Sequence, residues 1–456
     1  MEQAKAKKFN FKEYLNKHLT ATRAVVLAFA VTILIGAALL MLPISTKEPG
    51  SLGFIDALFT ATSATCVTGL IIFDTSVTFT GFGQVVILLL IQLGGLGFMT
   101  LSTMIYILIG HKISLQRRIS IKEDLSYGGM DGLKEITLRI VLISVIVESI
   151  GAAVLTFAFS KYYPFGKSLW FGIFHSVSAF CNAGFDILPA AENSSLILYN
   201  DNPVVLITIA GLIITGGIGF LVIEDILRNH RWRKLALQTK AVLIITLVLI
   251  LTGTGIFLLG EYSRNFAGMP FWQKVLNAFF HSVTTRTAGF NSFDLSDLSP
   301  ISYMTTVAWM FIGASPGSTG GGIKTTTLFI LVVAVIMTIR QKNEAVFDMR
   351  SIGKKTIAKA ATVLTLALVM SFISCFIMCL SEKGADIKDI LFEQISAYGT
   401  VGLSTGLTPE LSSVGKIIII FNMFIGRVGA LTFFIAFAKG NKSRSAIQYQ
   451  EANISI

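Results

Sequence analysis

The chain has 456 residues, 53% of them hydrophobic and only 14% charged, with a mean hydropathy of +0.72. A soluble chain of this length carries about 25% charged residues, so the composition excludes a soluble globular protein and points to an integral membrane protein. The net charge of +11 does not imply nucleic acid, because the cations are split among connectors between apolar runs, and four scattered cysteines exclude a disulfide framework.

Residues 1–23 form a polar, basic tail with Lys5, Lys7, Lys8, Lys12 and Lys17. The run 24–42 matches the roughly 20 residues that cross a bilayer. Its long basic lead and the lack of an Ala-x-Ala site argue against a signal peptide, so it reads as a first transmembrane helix ended by Pro43. The next apolar segment, 54–66, is too short to span and reads as re-entrant; 82–109 is again a full span. Residues 24–109 are therefore expected to form helix, half-helix, a turn at Gly69, and helix. The same order recurs in 110–227 (136–159, 169–180, a turn at Gly184, 203–227). It recurs in 228–340 (241–259, 271–285, a turn at Gly289, 304–339) and in 341–438 (357–380, 387–398, a turn at Gly402, 417–437), leaving a tail at 439–456. The predicted fold is all-α and integral to the membrane: eight transmembrane helices as four helix–pore-loop–helix repeats around one central pore. Segments 1–23, 110–134, 228–240, 340–359 and 439–456 hold 25 of the 37 Lys and Arg. That asymmetry predicts both termini in the cytoplasm.

The repeat is carried by its turns. The four glycines are 115, 105 and 113 residues apart, with a phenylalanine ten residues before each: Phe59, Phe174, Phe279 and Phe392. Two residues before each glycine come Val67, Asn182, Thr287 and Thr400; one residue before come Thr68, Ala183, Ala288 and Val401. Irregular backbone is tolerated within a membrane only where it is buried in protein or lines water, and four hairpins meet that condition together by sharing an axis. The half-helices then aim their negative C-terminal ends at a cavity, and carbonyl-lined turns replace the hydration shell of a dehydrated cation. Cys66 and Cys181 lie three residues before their glycines, beside this ring; Cys375 and Cys379 read as packing residues.

The second helices also match each other. Gly94-Gly95-Leu96-Gly97 recurs as Gly216-Gly217-Ile218-Gly219 and as Gly426-Arg427-Val428-Gly429. Small residues let helices approach closely, whereas Arg427 in mid-span costs about 2.5–3.5 kcal/mol and is expected to face a cavity and act there. In the third repeat, 313–325 reads GASPGSTGGGIKT. Gly313, Ser315, Gly317, Ser318, Thr319, Gly320, Gly321, Gly322 and Lys324 cannot hold a helix around Pro316, so a loop within the membrane, below the turns, is expected as a gate. It is not a phosphate loop, since Ile323 separates Gly322 from Lys324 and no strand precedes it. Arg286 reads as a brace behind the third turn, and Glu148 as the partner of a buried donor.

With these motifs in place, the chain resembles the Trk/Ktr/HKT superfamily of potassium transporters, and within it the B-type membrane component of bacterial Ktr systems, over about residues 20–440. The resemblance rests on Thr68-Gly69-Leu70, Asn182-Ala183-Gly184-Phe185, Thr287-Ala288-Gly289-Phe290-Asn291, Thr400-Val401-Gly402-Leu403, the loop 313–324 and Arg427. The Trk branch is expected to carry an extra N-terminal helix pair, so the short basic tail favours Ktr. The resemblance implies K+ bound by the filter carbonyls, with Na+ left open as a modulator, and no covalent cofactor. It implies a homodimer with one pore per chain in the lipid of a bacterial plasma membrane. It also implies a separate cytoplasmic ring of nucleotide-binding subunits as regulator, no nucleic-acid partner and no enzymatic activity. Gly69, where some relatives carry serine and conduct sodium, favours potassium; a sodium-conducting or sodium-coupled transporter of the same architecture is the alternative. An alternating-access carrier would need inverted repeats and buried carboxylates. A hydrolase built on His175-Ser176 or His281-Ser282 fails because adjacent residues on a helix point apart.

Overall fold

The structure is a computed structural model that describes residues 21–97, 133–189, 195–342 and 344–438. The basic segments 1–20, 110–132 and 439–456, and the predicted end of the first repeat beyond residue 97, lie outside the described residues. The first quarter comprises α1 (Ala21–Leu40), α2 (Phe54–Thr65) and α3 (Gly81–Gly95). The second comprises α4 (Leu133–Phe159), α5 (Phe165–Phe180), α6 (Pro203–Ile218) and α7 (Phe220–Arg228). The third holds α8 (Leu237–Glu261), α9 (Phe271–Thr284), α10 (Pro300–Phe311) and α11 (Thr325–Ile339). The fourth holds α12 (Lys354–Ser381), α13 (Ile387–Gly399), α14 (Ser413–Val428) and α15 (Ala430–Phe437).

Among the described residues four helices, α1, α4, α8 and α12, are long and apolar enough to cross a membrane, and the bent pairs α6–α7 and α14–α15 reach that length only together. Their outward rows, such as Leu27, Val31 and Leu34 on α1 or Leu368, Phe372 and Phe376 on α12, are exposed and apolar, as a lipid-facing surface must be. Between lipid-bathed helices, association comes from close packing rather than from escape from water. That is where the glycines act. A Cβ on Gly94, Gly216 or Gly426 would collide with the backbone carbonyl of Thr65, Phe180 or Tyr398, at the ends of α2, α5 and α13.

Two expected spans differ from their prediction. The segments 203–227 and 417–437 are not continuous: they bend by 91° and 95° at Gly219 and Gly429, whose φ values of 97° and 89° only glycine adopts cheaply. The all-α expectation also misses a hairpin, Ala345–Phe347 paired antiparallel with Arg350–Ile352. Its turn residues Asp348 and Met349 have positive φ, which matches the twist of a two-residue hairpin, and Asp348 pairs with the buried Lys240 of α8 at 2.5 Å.

Polar ties join each quarter to the next. Trp170 Nε1 donates to Gln84 Oε1 at 2.8 Å between the first and second, and Asn277 Nδ2 to the Asn200 carbonyl at 2.9 Å between the second and third. The Tyr303 hydroxyl donates to the Lys388 carbonyl at 2.5 Å between the third and fourth. Lys416 of α14 meets Asp56 of α2 at 2.8 Å, closing fourth against first.

Candidate functional site: four turns and a loop beneath them

The short helices α2, α5, α9 and α13 each run into a turn built to one plan. Val67, Asn182, Thr287 and Thr400 take φ of 58°, 60°, 72° and 52°, and the glycines that follow take 92°, 68°, 77° and 91°. A left-handed, non-glycine residue costs roughly 1–2 kcal/mol, so four at equivalent positions mark a conformation held for a purpose. The turns meet in a closed ring. A Cβ on Gly69 would lie 3.2 Å from Gly184 Cα, one on Gly184 3.1 Å from Gly289 Cα, one on Gly289 3.1 Å from Gly402 Cα, and one on Gly402 2.9 Å from Gly69 Cα. The first atoms each would strike are the carbonyl oxygens of Ala183, Ala288, Val401 and Thr68. The site residues read from the four sequence motifs are thus brought to one axis.

The third turn corrects the phenylalanine rule. Phe59, Phe174 and Phe392 are fully buried, but in the third quarter the fully buried ring is Phe280, nine residues before its glycine, while Phe279 is only half-buried. Two further observations agree. Gly151 of α4 packs on Ser176, eight residues before Gly184, whereas Gly253 of α8 packs on Ser282, seven before Gly289. The Ala183 N–H reaches back five residues to the Ser178 carbonyl, and the Ala288 N–H only four, to Thr284. This turn is one residue shorter, and two consecutive phenylalanines hid the deletion.

With that shift, a hydroxyl residue occupies the same place in all four turns, at Ser63, Ser178, Thr284 and Ser396. Among the sequence motifs above this position does not figure, although Ser63, Ser178 and Ser396 each stand six residues before their glycines. Gly69 and Gly402 donate their N–H groups to the Ser63 and Ser396 hydroxyls. The position equivalent to His175 and His281 is Glu393 in the fourth quarter. Its carboxylate is fully buried and accepts from the Ser404 hydroxyl, the Thr405 N–H (3.1 Å) and the Thr408 hydroxyl (2.6 Å), tying the segment after Gly402 back to α13. His175 Nδ1 donates to the Phe171 carbonyl at 2.7 Å and His281 Nε2 bonds the Thr306 hydroxyl at 3.1 Å. Both are buried core residues held by their own surroundings.

The loop 313–324 lies against the turns. The Gly321 N–H donates to the Thr400 hydroxyl at 3.0 Å, and a Cβ on Gly320 would strike the Thr287 hydroxyl. Other bonds fix the loop between quarters. Ser315 N–H donates to the Gly217 carbonyl (3.1 Å), Thr319 N–H to the Gly216 carbonyl (3.2 Å) and Gly322 N–H to the Gly426 carbonyl (3.2 Å), while Phe220 N–H donates to the Gly317 carbonyl (2.8 Å). Internally, the Ser315 and Thr325 hydroxyls bond at 2.9 Å, the Ser318 hydroxyl donates to the Ser315 carbonyl, and Lys324 Nζ caps the Gly320 carbonyl at 2.8 Å. Gly313 passes too close to Gly321 to carry a side chain. Arg427 reaches in from α14: its guanidinium donates to the carbonyls of Thr319, Gly94 and Gly95, so one cation grips the loop and the first quarter together.

Two side chains read from sequence serve support. Glu148 accepts from Gln92 Nε2 at 3.0 Å across the first and second quarters. Arg286 is buried two residues past the end of α9, with Nη2 3.4 Å from the Thr246 hydroxyl of α8. Among the described residues no group of three or more His, Cys, Asp or Glu could hold a metal ion.

A family model described as "TrkH: Cation transport protein" matches residues 3–449. The chain belongs to the TrkH family of cation transport proteins. Within that family it is 42% identical to "Ktr system potassium uptake protein B" of Bacillus subtilis, covering 95% of this chain and 96% of the relative. It is 38% identical to "Potassium/sodium uptake protein NtpJ" of Enterococcus hirae, covering 98% and 99%. Its fold is that of the crystal structure of the potassium transporter TrkH from Vibrio parahaemolyticus, with a TM-score of 0.72 and 17% identity over 95% of this chain and 87% of that one. Membership of this family of ion transporters, together with its apolar helices, makes the TrkH-family chain a membrane protein.

Proposed function

We propose that this TrkH-family chain is the pore-forming component of a bacterial potassium uptake system, conducting K+ through one channel-like pore within each chain. Its selectivity filter is the ring of Thr68, Ala183, Ala288 and Val401 carbonyls beside Gly69, Gly184, Gly289 and Gly402, with Val67, Asn182, Thr287 and Thr400 next to them. The observation that carries this reading is the closure of the ring, in which every turn presses a carbonyl on the glycine of another. Oxygen dipoles converging at the ends of four half-helices replace the water that an entering cation gives up. The loop 313–324, clamped by Arg427 below the ring, is the gate. The domains are the four quarters 24–109, 110–227, 228–340 and 341–438 between two cytoplasmic tails, with eight spans once the bent helices are counted with their continuations. The name of the Bacillus relative, a protein of a "Ktr system", supports partner subunits beside this chain; we take the regulator to be a separate cytoplasmic nucleotide-binding ring and the chain itself to be a plasma-membrane homodimer.

Growth of a potassium-uptake-deficient bacterium on low potassium tests this. Rescue by the unaltered chain with a matching ring protein is expected, and loss of rescue or new sodium sensitivity with Gly402→Ser. The name of the Enterococcus relative favours a second reading, in which sodium is also carried; sodium flux equal to potassium flux would establish it.

A further inference from the structure

A trans peptide points its N–H and C=O in opposite directions. Whatever holds the N–H of a ring glycine therefore also aims the carbonyl of the residue before it. In the first turn the Gly69 N–H donates to the Ser63 hydroxyl at 3.1 Å, and in the fourth the Gly402 N–H donates to the Ser396 hydroxyl at 3.1 Å. The carbonyls of these same peptide units, Thr68 O and Val401 O, are the ones pressed on Gly402 and Gly289. Both serines are fully buried, so water does not compete for their hydroxyls.

The other two turns are held differently. Ser178 turns its hydroxyl onto the Phe185 carbonyl at 2.7 Å. In the shortened third turn the Thr284 carbonyl takes the N–H groups of Ala288 and Gly289, at 3.0 and 3.4 Å. Since Gly402 touches Gly69, the two hydroxyl-held carbonyls are neighbours and form one side of the ring.

We infer that Ser63 and Ser396 are positioning residues for ion discrimination, each fixing through its hydroxyl the plane of one carbonyl-bearing peptide; this rests on the ring being the ion filter. Without the hydroxyl, the glycine N–H loses its protein partner and the peptide can rotate its carbonyl off the axis. A loosened oxygen then collapses more readily onto a small cation, so the ring's preference for K+ over Na+ falls.

The test is K+ against Na+ permeability of the full chain in liposomes, for Ser63→Ala, Ser396→Ala and their Ser→Thr counterparts, with Gly402→Ser as reference. Loss of one hydrogen bond predicts a fall in the K+/Na+ ratio of about threefold to tenfold in each alanine variant, and recovery in the threonine variants, which keep the hydroxyl. A serine that merely packs would change thermal stability and leave the ratio alone. If Gly402→Ser lowers the ratio and neither alanine variant does, the serine role is overturned and the filter stands. If none of the three lowers it, the filter reading fails and this inference with it. Should an alanine variant not reach the membrane, Ser→Cys of similar volume and weak hydrogen bonding is measured instead; an intermediate fall is expected, and an unchanged ratio overturns the role.

Discussion

Gly402→Ser puts the greatest strain on the ring for the fewest atoms. The glycine sits at φ 91°, where any L residue is strained by at least the roughly 1–2 kcal/mol of a left-handed backbone. The new Cβ would lie 2.9 Å from Gly69 Cα and 3.1 Å from Gly69 C, and closer still to the Thr68 carbonyl oxygen. Ordinary contacts begin near 3.4 Å, so the first turn must yield by about half an ångström or more, and its carbonyl moves with it. A hydrogen-bond-like contact to a charged group contributes about 1.5–3 kcal/mol. Misplacing one carbonyl therefore removes at least about 1.4 kcal/mol of preference for the fitting ion, which is tenfold. Reversal potentials under bi-ionic K+/Na+ conditions in reconstituted vesicles, with membrane abundance checked in parallel, read this directly. A ratio within about twofold of the unaltered protein would refute the assignment of Gly402 to the filter, whatever happens to total uptake.

The remaining expectations concern the clamp, an acid-sensitive cap and the closing ion pair. Arg427→Ala removes charged hydrogen bonds to the Thr319, Gly94 and Gly95 carbonyls, so leak flux of the chain reconstituted alone should rise by at least about tenfold; deletion of 317–320 should act the same way, and flux equal to the unaltered chain in both would refute the proposal that this loop is the gate. Glu382, just past the end of α12, is opposed in its charge by burial, but hydrogen bonds from the Ser412 N–H and hydroxyl and the Ser381 hydroxyl outweigh this and hold its carboxyl below the usual range. A depressed carboxylate stabilises above its unfolded pKa and loses that contribution as pH falls through its folded one. Melting in detergent should therefore show a loss of stability below about pH 4 that Glu382→Gln lacks, the variant being the less stable of the two at neutral pH. Asp56→Asn and Lys416→Met should show a coupling of about 1 kcal/mol in a double-mutant cycle of thermal stability; additivity would mean the fourth and first quarters close without this pair.

How much of this was legible in the sequence depended on whether a residue repeats. The four ring glycines and the residues before them stood out because backbone carbonyls can converge only if the turns recur, and recurrence is visible as spacing; Arg427 stood out because it breaks the glycine pattern with a charge in mid-span. The loop 313–324 was legible for another reason: its glycines and Pro316 cannot stay helical. The shortened third turn was hidden because Phe279 and Phe280 both satisfy a search for phenylalanine. Neither bend was legible, since glycine is common in straight membrane helices too. At Gly219 the Pro316 carbonyl lies 2.7 Å from where a Cβ would be, so the room that excludes any other residue at the bend is taken by backbone about a hundred residues away. The role of Glu393 was equally closed, as its partners follow the glycine of its own turn and become neighbours only when that turn folds back.

The contact between Gly402 and Gly69 also bears on how the chain is made. These two glycines are 333 residues apart in the sequence, yet each needs the other to complete the ring. Until the last quarter is made, the first three turns lack the backbone of residues 401 and 402 that lies against Gly289 and Gly69. Bare carbonyls in lipid are costly, so a chain interrupted before residue 402 keeps an open-sided cleft that no later step can shut. Quality-control proteases should therefore clear chains truncated just before α13 faster than chains that lose only the tail after 438, even though the two differ by little more than fifty residues.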